Sequence, residues 1–219
     1  MAASATGENT STAAGQWPIT RAARFCKRVI DVCGAALLLT LSLPIIFVCA
    51  CIIKLQDSGP VFHRRRVVGR HGSFDAFKLR SMSVDADQIL GNDPALRKQF
   101  NVNFKLKDDP RVTAFGAVMR RYSLDELSQL WNVLRGEMSL VGPRMITPAE
   151  LHKFGDAAWI FSSMKPGLSG YWQTHGGHDV GYEHRVAMEL WYAEHWSLAL
   201  DLLILLKTPL RVLRGAGAD

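Results

Sequence analysis

Residues 32–53 carry no charged side chain, a run of 22 positions, and as a helix of about 33 Å that run covers the roughly 30 Å apolar core of a bilayer. Length alone predicts a straight span, and two features argue against one. Pro44 falls near the middle of the run, where proline removes a backbone donor and crowds the preceding turn, and Ser42 is placed to satisfy a carbonyl freed there. A break at that point leaves two halves of roughly 15 to 18 Å, each too short to cross. Basic residues also mark both flanks: Arg21, Arg24, Lys27 and Arg28 before the run, then Lys54, Arg64, Arg65, Arg66 and Arg70 after it. Positive charge marks the cytoplasmic side of a membrane segment, so both ends are expected on one face and the segment to turn back as a re-entrant hairpin. A straight span and a buried core helix are the alternatives.

The 219 residues suffice for one ordinary domain with a sizeable core. They divide into a tail over 1–20, a membrane segment over 21–57 and a cytoplasmic domain over 58–219. The first sixteen residues are rich in Ala, Ser, Thr and Gly without apolar periodicity, and the tail is expected to be disordered. Basic residues outnumber acidic ones by 26 to 20, a net charge of +6. Residues 63–80 hold six Lys or Arg against one Asp, a patch that wants an anionic partner. Nucleic acid, an anionic membrane face and a nucleotide diphosphate all satisfy that charge. Cys26, Cys33, Cys49 and Cys51 all lie at or inside the apolar run with no C-x-x-C pair, which reads as small apolar packing in a reducing compartment. The basic cluster lies some twenty residues in, with no small-residue cleavage site after the run, so no signal peptide is expected.

Residues 61–79 alternate around Gly69-Arg70-His71-Gly72, which predicts a β-hairpin. The remainder reads as mostly helical, with helices over 85–90, 94–100, 124–134, 148–154, 184–195 and 198–206. Loops are expected at 107–110, 141–143 and 165–167. Trp191, Tyr192 and Trp196 precede a short leucine-rich helix closed by Lys207, Pro209, Arg211 and Arg214. That pattern suits a membrane interface and core packing equally.

The chemistry concentrates in residues 120–144. Ser123-Leu124-Asp125-Glu126 has the spacing of a capping box, with Ser123 as N-cap and Glu126 at the third helical position. The same spacing sets two carboxylates at a helix start, where the dipole keeps a carboxylate ionised and attracts phosphate. Asp125 and Glu126 could supply a nucleophile or hold a hard cation, while Arg120, Arg121 and Arg144 could neutralise phosphate oxygens. His175, His178, Glu183 and His184 have the spacing of a weak transition-metal motif, and solvated histidines in a Gly-Gly loop are the plainer reading.

These stretches, together with Lys27-Arg28-Val29-Ile30-Asp31, Ser58-Gly59-Pro60, Phe77-Lys78-Leu79-Arg80-Ser81, Asp109-Pro110-Arg111-Val112, Lys165-Pro166-Gly167 and Trp196-Ser197-Leu198-Ala199-Leu200-Asp201, resemble the bacterial sugar transferases known as monotopic phosphoglycosyl transferases, over most of the chain. Within them it looks most like enzymes that begin exopolysaccharides with galactose or glucose. The resemblance implies an α+β, mostly α, monotopic membrane protein at the cytoplasmic face of the bacterial inner membrane, its re-entrant helix bent at Ser42 and Pro44. It implies transfer of a sugar-1-phosphate from a UDP-sugar to undecaprenyl phosphate with release of UMP. Asp125 would be the nucleophile and hold Mg²⁺, and Glu126 would assist by proton transfer or by helping to place the metal. Arg120 and Arg144 match phosphate-binding arginines, and Lys78, Arg80 and Arg111 are further candidates. A homo-oligomer and downstream glycosyltransferases are the protein partners it suggests.

The chain departs from the family pattern tolerably at Ser128 and Met145, has Glu189 where the family usually has Asp, and departs at Val67 and His175-Gly176-Gly177 in a way that bears on donor choice. A non-catalytic scaffold of a glycan-assembly complex is the alternative that the last of these permits. A nucleic-acid-binding role is not expected, because the basic run lacks aromatic interleaving.

Overall fold

The apolar run lies inside one long helix, α1 (Arg21–Gln56), of 36 residues and about 54 Å. The computed structural model describes residues 20–104, 106, 108–176 and 181–214. The expected disordered tail therefore lies outside the described residues, except that Thr20 caps α1 by accepting a hydrogen bond from Ala23 N at 3.2 Å. The helix is long and apolar enough to cross a membrane, with a mean hydropathy of 2.8 in its most apolar window. The helical assignment continues through Pro44 instead of dividing there. Ser42 donates to the Leu39 carbonyl at 3.0 Å, one residue short of the Thr40 carbonyl that Pro44 leaves without its helical donor, so the satisfaction expected of Ser42 is not the bond it makes. Leu37, Leu41 and Phe47 stand more than 60% exposed.

Both ends of α1 are fastened to the rest of the protein. Near its start, Lys27 Nζ donates to Val141 O and to Asp201 Oδ2, at 2.9 and 2.5 Å. Arg28 donates to the carbonyls of Val133 and Leu134 at 2.7 and 2.8 Å. Asp31 accepts from Ser139 Oγ and Leu140 N, each at 2.9 Å. Near its end, Cys49 and Ile53 pack into a small cluster with Leu79 and Met119, and Arg80 grips Asp57 just beyond the helix.

The basic strand folds as expected. β1 (Phe62–Gly69) and β2 (Gly72–Leu79) pair antiparallel from Phe62 opposite Leu79 to Gly69 opposite Gly72. The turn residues Arg70 and His71 keep negative φ, and the positive φ falls one residue later, at Gly72 with 106°, a value that suits glycine. After the hairpin come α2 (Ala86–Asn92), α3 (Pro94–Asn103) and α4 (Ala114–Arg121). The single helix expected over 124–134 is instead a 3₁₀ turn, Leu124–Gln129, followed by α5 (Leu130–Arg135). Beyond it lie β3 (Ser139–Val141), a 3₁₀ stretch Pro148–Ala158 in place of the expected α-helix, α6 (Trp159–Ser163) and β4 (Gly167–Ser169). The 3₁₀ stretch carries the capping interaction that the sequence analysis placed at Ser123: Glu150 Oε1 accepts from Thr147 N at 3.0 Å.

The chain closes with α7 (Tyr171–His175), α8 (Tyr182–Glu194) and α9 (Leu198–Leu213). The last helix runs through Pro209 to Leu213, past the expected end at 206. The Thr208 hydroxyl bonds the Ile204 carbonyl at 2.7 Å within that turn. The architecture is mostly helical with two small two-stranded sheets, β1-β2 antiparallel and β3-β4 parallel. The main core gathers Val67, Ala76, Leu130, Val133, Leu140, Ile160, Phe161, Tyr192 and Ile204 with Ala35 of α1. Of the two settings that the sequence left open for Tyr192, interface and core, the structure shows the core, where it is fully buried, whereas Leu206, Leu210 and Leu213 line an exposed side of α9.

The four cysteines are free, and of them Cys49 is buried while Cys26, Cys33 and Cys51 are exposed on α1.

Candidate active site

Strand β2 is the floor of the site because its outer edge is stitched to the helix that follows the carboxylates. Phe77 N donates to Asn132 Oδ1 at 3.0 Å, and Asn132 Nδ2 returns to Asp75 O at 2.8 Å. Ser128 Oγ donates to Phe77 O at 3.0 Å. Ser128 and Asn132 thus do for an edge strand what a third strand would do, satisfying its backbone. Their bonds set the 3₁₀ turn carrying Asp125 and Glu126 against Lys78.

The capping box expected at Ser123 does not form. Ser123 adopts a left-handed conformation, φ 52°, and makes no side-chain cap bond. That backbone turn releases Glu126 from the helix start and sends its carboxylate inward. Lys78 Nζ donates to Glu126 Oε1 at 2.7 Å. Arg144 grips the same carboxylate with both terminal nitrogens, Nη1 to Oε2 at 2.9 Å and Nη2 to Oε1 at 2.7 Å. Asp125 is buried alongside, yet among the described residues its contact is the 3.8 Å approach of Lys78 to Oδ2.

Burial and charge drive the two carboxyls apart. Burial opposes ionisation of Glu126, but Arg144 and Lys78 outweigh it and hold its carboxyl far below the usual range. Asp125 is raised, first by burial, with Lys78 pulling down and the Glu126 charge pushing up. Neighbouring acids separated in this way divide their labour. Glu126 stays ionised as the keystone of a cationic frame, and Asp125 holds a basic, unbonded carboxylate. Proton transfer by Glu126, one of the two ways it was expected to assist, does not suit a carboxyl so firmly ionised.

Arg144 is delivered by the loop between β3 and β4. Gly142 N donates to Ser169 O at 3.0 Å, and Gly167 N donates to Pro143 O at 2.9 Å. The strands approach so closely that a Cβ on Gly142 would lie 2.4 Å from Lys165 O. Arg144 N then donates to Glu189 Oε1 at 2.8 Å. Arg120 reaches the rim from α4, its Nε on Ser81 Oγ at 2.9 Å, near enough to lower the Asp125 carboxyl.

Of the residues expected at the site, Asp125, Glu126, Lys78 and Arg144 meet directly, with Arg120 beside them. Arg80 and Arg111 are held elsewhere. Arg80 donates to Pro60 O at 2.7 Å and pairs with Asp57, tying the end of α1 to β2. Arg111 pairs with Asp109 at 2.7 and 2.8 Å and lies over Phe100. Of the suggested histidine cluster, His175 donates from Nδ1 to the Tyr171 carbonyl and accepts from Lys207 at Nε2, and His178 lies outside the described residues. Among the described residues no three His, Cys, Asp or Glu side chains converge as a metal site. The site also holds residues that the sequence analysis did not assign: Arg65, paired with Glu150 at 3.1 Å, and Glu189. A signal for Glu189 was there, an acid in helical register with Val186, Tyr192 and Ala193 on the inward side of α8.

Residues 22–215 match the family model for bacterial sugar transferases. The UDP-galactose-lipid carrier transferase of Erwinia amylovora is 45% identical over 201 residues, 89% of this chain and 42% of that protein. The undecaprenyl-phosphate galactose phosphotransferase of Salmonella typhimurium is 42% identical, over 90% of this chain and 42% of its own length. The chain therefore spans less than half the length of these two relatives. The exopolysaccharide production protein ExoY of Rhizobium meliloti is 42% identical over 88% of this chain and 87% of its own.

Proposed function

The chain belongs to the bacterial sugar transferase family, and from that premise we propose that it moves a hexose-1-phosphate from a UDP-sugar to undecaprenyl phosphate by way of an aspartyl-phosphosugar. The observation that carries this reading is the contrast between the two acids. Glu126 is fixed by three charge-assisted bonds from Lys78 and Arg144, while Asp125 beside it shows no such bond among the described residues and meets Lys78 only at 3.8 Å. A carboxylate raised by burial and left unbonded is a better nucleophile than an ordinary aspartate.

In the first half-reaction an Asp125 oxygen attacks the β-phosphorus. The bond to the bridging oxygen breaks, and UMP leaves with the electron pair. In the second half, an oxygen of undecaprenyl phosphate attacks the same phosphorus and the Asp125 carboxylate departs. Lys78, Arg120 and Arg144 bear on the charge of the phosphoryl oxygens, and Glu126 holds two of these cations in place.

Mg²⁺ suits this donor set in one mode. With both Glu126 oxygens engaged, Asp125 is the carboxylate that would hold the ion, shared with the donor's diphosphate, as Mg²⁺ commonly binds. The chemistry it supplies is neutralisation of the departing phosphate's charge.

We place the site at the cytoplasmic face of the inner membrane and α1 as re-entrant. The fastening of α1 at Lys27-Arg28-Asp31 and again at Cys49-Ile53-Asp57 to the same catalytic body supports this. A straight span would have to carry one fastening about 30 Å to the other side. The galactose in the names of two relatives favours galactose as the sugar, with its epimer glucose beside it. A scaffold without catalysis is disfavoured by the cost of burying the Asp125 carboxylate with Lys78 at 3.8 Å as its ion-pair contact among the described residues.

Full-length protein incubated with Mg²⁺ and UDP-galactose or UDP-glucose, without lipid acceptor, should gain the mass of one hexose phosphate and release one equivalent of UMP. Asp125→Asn should lose both. Substantial turnover by Asp125→Asn, or an obligatory ternary complex in initial-rate kinetics, would overturn the double displacement.

A further inference from the structure

Behind the Glu126-Arg144 pair, the wall built by α7 and α8 holds a group of buried polar atoms without a hydrogen-bond partner among the described residues. They are Trp172 Nε1, Tyr182 Oη, Arg185 Nε and Nη2, and Glu189 Oε2. Each such atom costs roughly 1–3 kcal/mol, and native proteins keep few of them. These five are neighbours. The Arg185 guanidinium carbon lies 4.9 Å from the Trp172 ring centroid and 5.3 Å from that of Tyr182. Glu189 feels the Arg185 charge, and its other oxygen accepts from Arg144 N. The group is thus one residue removed from the carboxylates at which the transfer is proposed to occur.

We infer that Arg185, Tyr182 and Trp172, with the unpaired oxygen of Glu189, recognise the hydroxyl groups of the donor's hexose and so set which sugar is transferred. The inference rests on the proposed reaction for its ligand, a nucleoside diphosphate sugar. The choice of the sugar over the rest of that ligand follows from the donors and acceptors on offer. Trp172 Nε1 and the two Arg185 nitrogens only donate, an ionised Glu189 only accepts, and Tyr182 does either. A hydroxyl donates and accepts at once and satisfies both kinds. A phosphate oxygen only accepts and would meet the Glu189 carboxylate unfavourably. A flat nucleobase would look for an aromatic face. Here Arg185 already lies over both rings, and Lys153 Nζ is 4.9 Å from the Tyr182 centroid as well. Burial pushes the Glu189 carboxyl up to about 7, so near neutrality it has both protonation states available to a hydroxyl.

The test is donor selectivity measured beside nucleotide binding, on the full chain in lipid nanodiscs. UMP release from UDP-galactose, UDP-glucose and UDP-N-acetylgalactosamine gives kcat/KM for each, and UMP inhibition reports the nucleotide alone. Arg185→Gln should change the ratio of kcat/KM between the two hexose epimers at least tenfold while the UMP inhibition constant moves less than twofold. Arg185→Lys should restore part of the ratio. Tyr182→Phe, which removes one oxygen and keeps the ring, should shift the ratio in the same sense and guards against a fold defect in the arginine variants. An unchanged ratio with only a lowered Tm would make the group structural, its partners ordered waters, and overturn the inference. A UMP constant that weakens in parallel with kcat/KM would assign the group to the nucleotide and overturn it equally, as would a wild type indifferent among the three donors. A wild type that releases UMP from no UDP-sugar would instead bring down the transfer reaction itself, and this inference with it.

Discussion

Single side chains decide the chemistry here through what they leave unbonded. Arg144 grips Glu126 with two nitrogens, so Arg144→Ala frees a buried carboxylate as well as removing a phosphate-facing cation. Its kcat/KM should fall by about 10² or more. Arg144→Lys should recover only part, because a single ammonium cannot reproduce the fork. Near wild-type kinetics for Arg144→Ala would remove this residue from the mechanism. In the proposed reaction Asp125 acts ionised, and burial lifts its carboxyl above the ordinary aspartate range. The limb of the pH–rate profile assigned to it should therefore fall as pH drops through that raised value, at higher pH than the usual aspartate near 4. A rate flat down to that ordinary value would contradict the raised carboxyl. The residue types were legible in sequence, since Asp125, Glu126 and Arg144 were all singled out there. What sequence could not give was their partners: Ser-x-x-Glu is the same string whether the serine caps a helix or turns left-handed, and only packing against β2 decides between them.

At the scale of elements, the loop that aims Arg144 depends on backbone running against backbone. Gly142→Ala would set a Cβ 2.4 Å from Lys165 O and 2.8 Å from Gly167 N, neither of which can swing aside as a side chain tip would. The variant should lose about 3 kcal/mol of stability, the upper part of the range for overpacking, read by chemical denaturation with Gly91→Ala, where a Cβ meets nothing within 4 Å, as the contrast. Equal stability of the two variants would show that the close approach is not a constraint. Elements with a strong period were readable. The β1-β2 hairpin announced itself by alternation about Gly69 and Gly72, and α1 by its uncharged length. Elements set by tertiary contact were not. Nothing local distinguishes a 3₁₀ turn at Leu124–Gln129 from the first turns of an α-helix, and Pro209 near a helix end reads as a stop even though α9 continues past it.

For the whole molecule the question is how one body meets a membrane. On the proposed topology a single cysteine placed at residue 20 or at residue 58, in a background lacking Cys26, Cys33, Cys49 and Cys51, should react with an impermeant thiol reagent only from the cytoplasmic side. Labelling of residue 20 from outside would make α1 a span. The double fastening of α1 also bears on how the two substrates find each other. With Lys27 tied to Asp201 at one end and Asp57 tied to Arg80 at the other, the body has no loose tether on which to bob, and its height above the lipid is fixed once. On the proposed reaction the polyprenyl carrier would hunt for Asp125 by sliding in a plane, the soluble donor by wandering through a volume, and the protein itself would not need to travel between them.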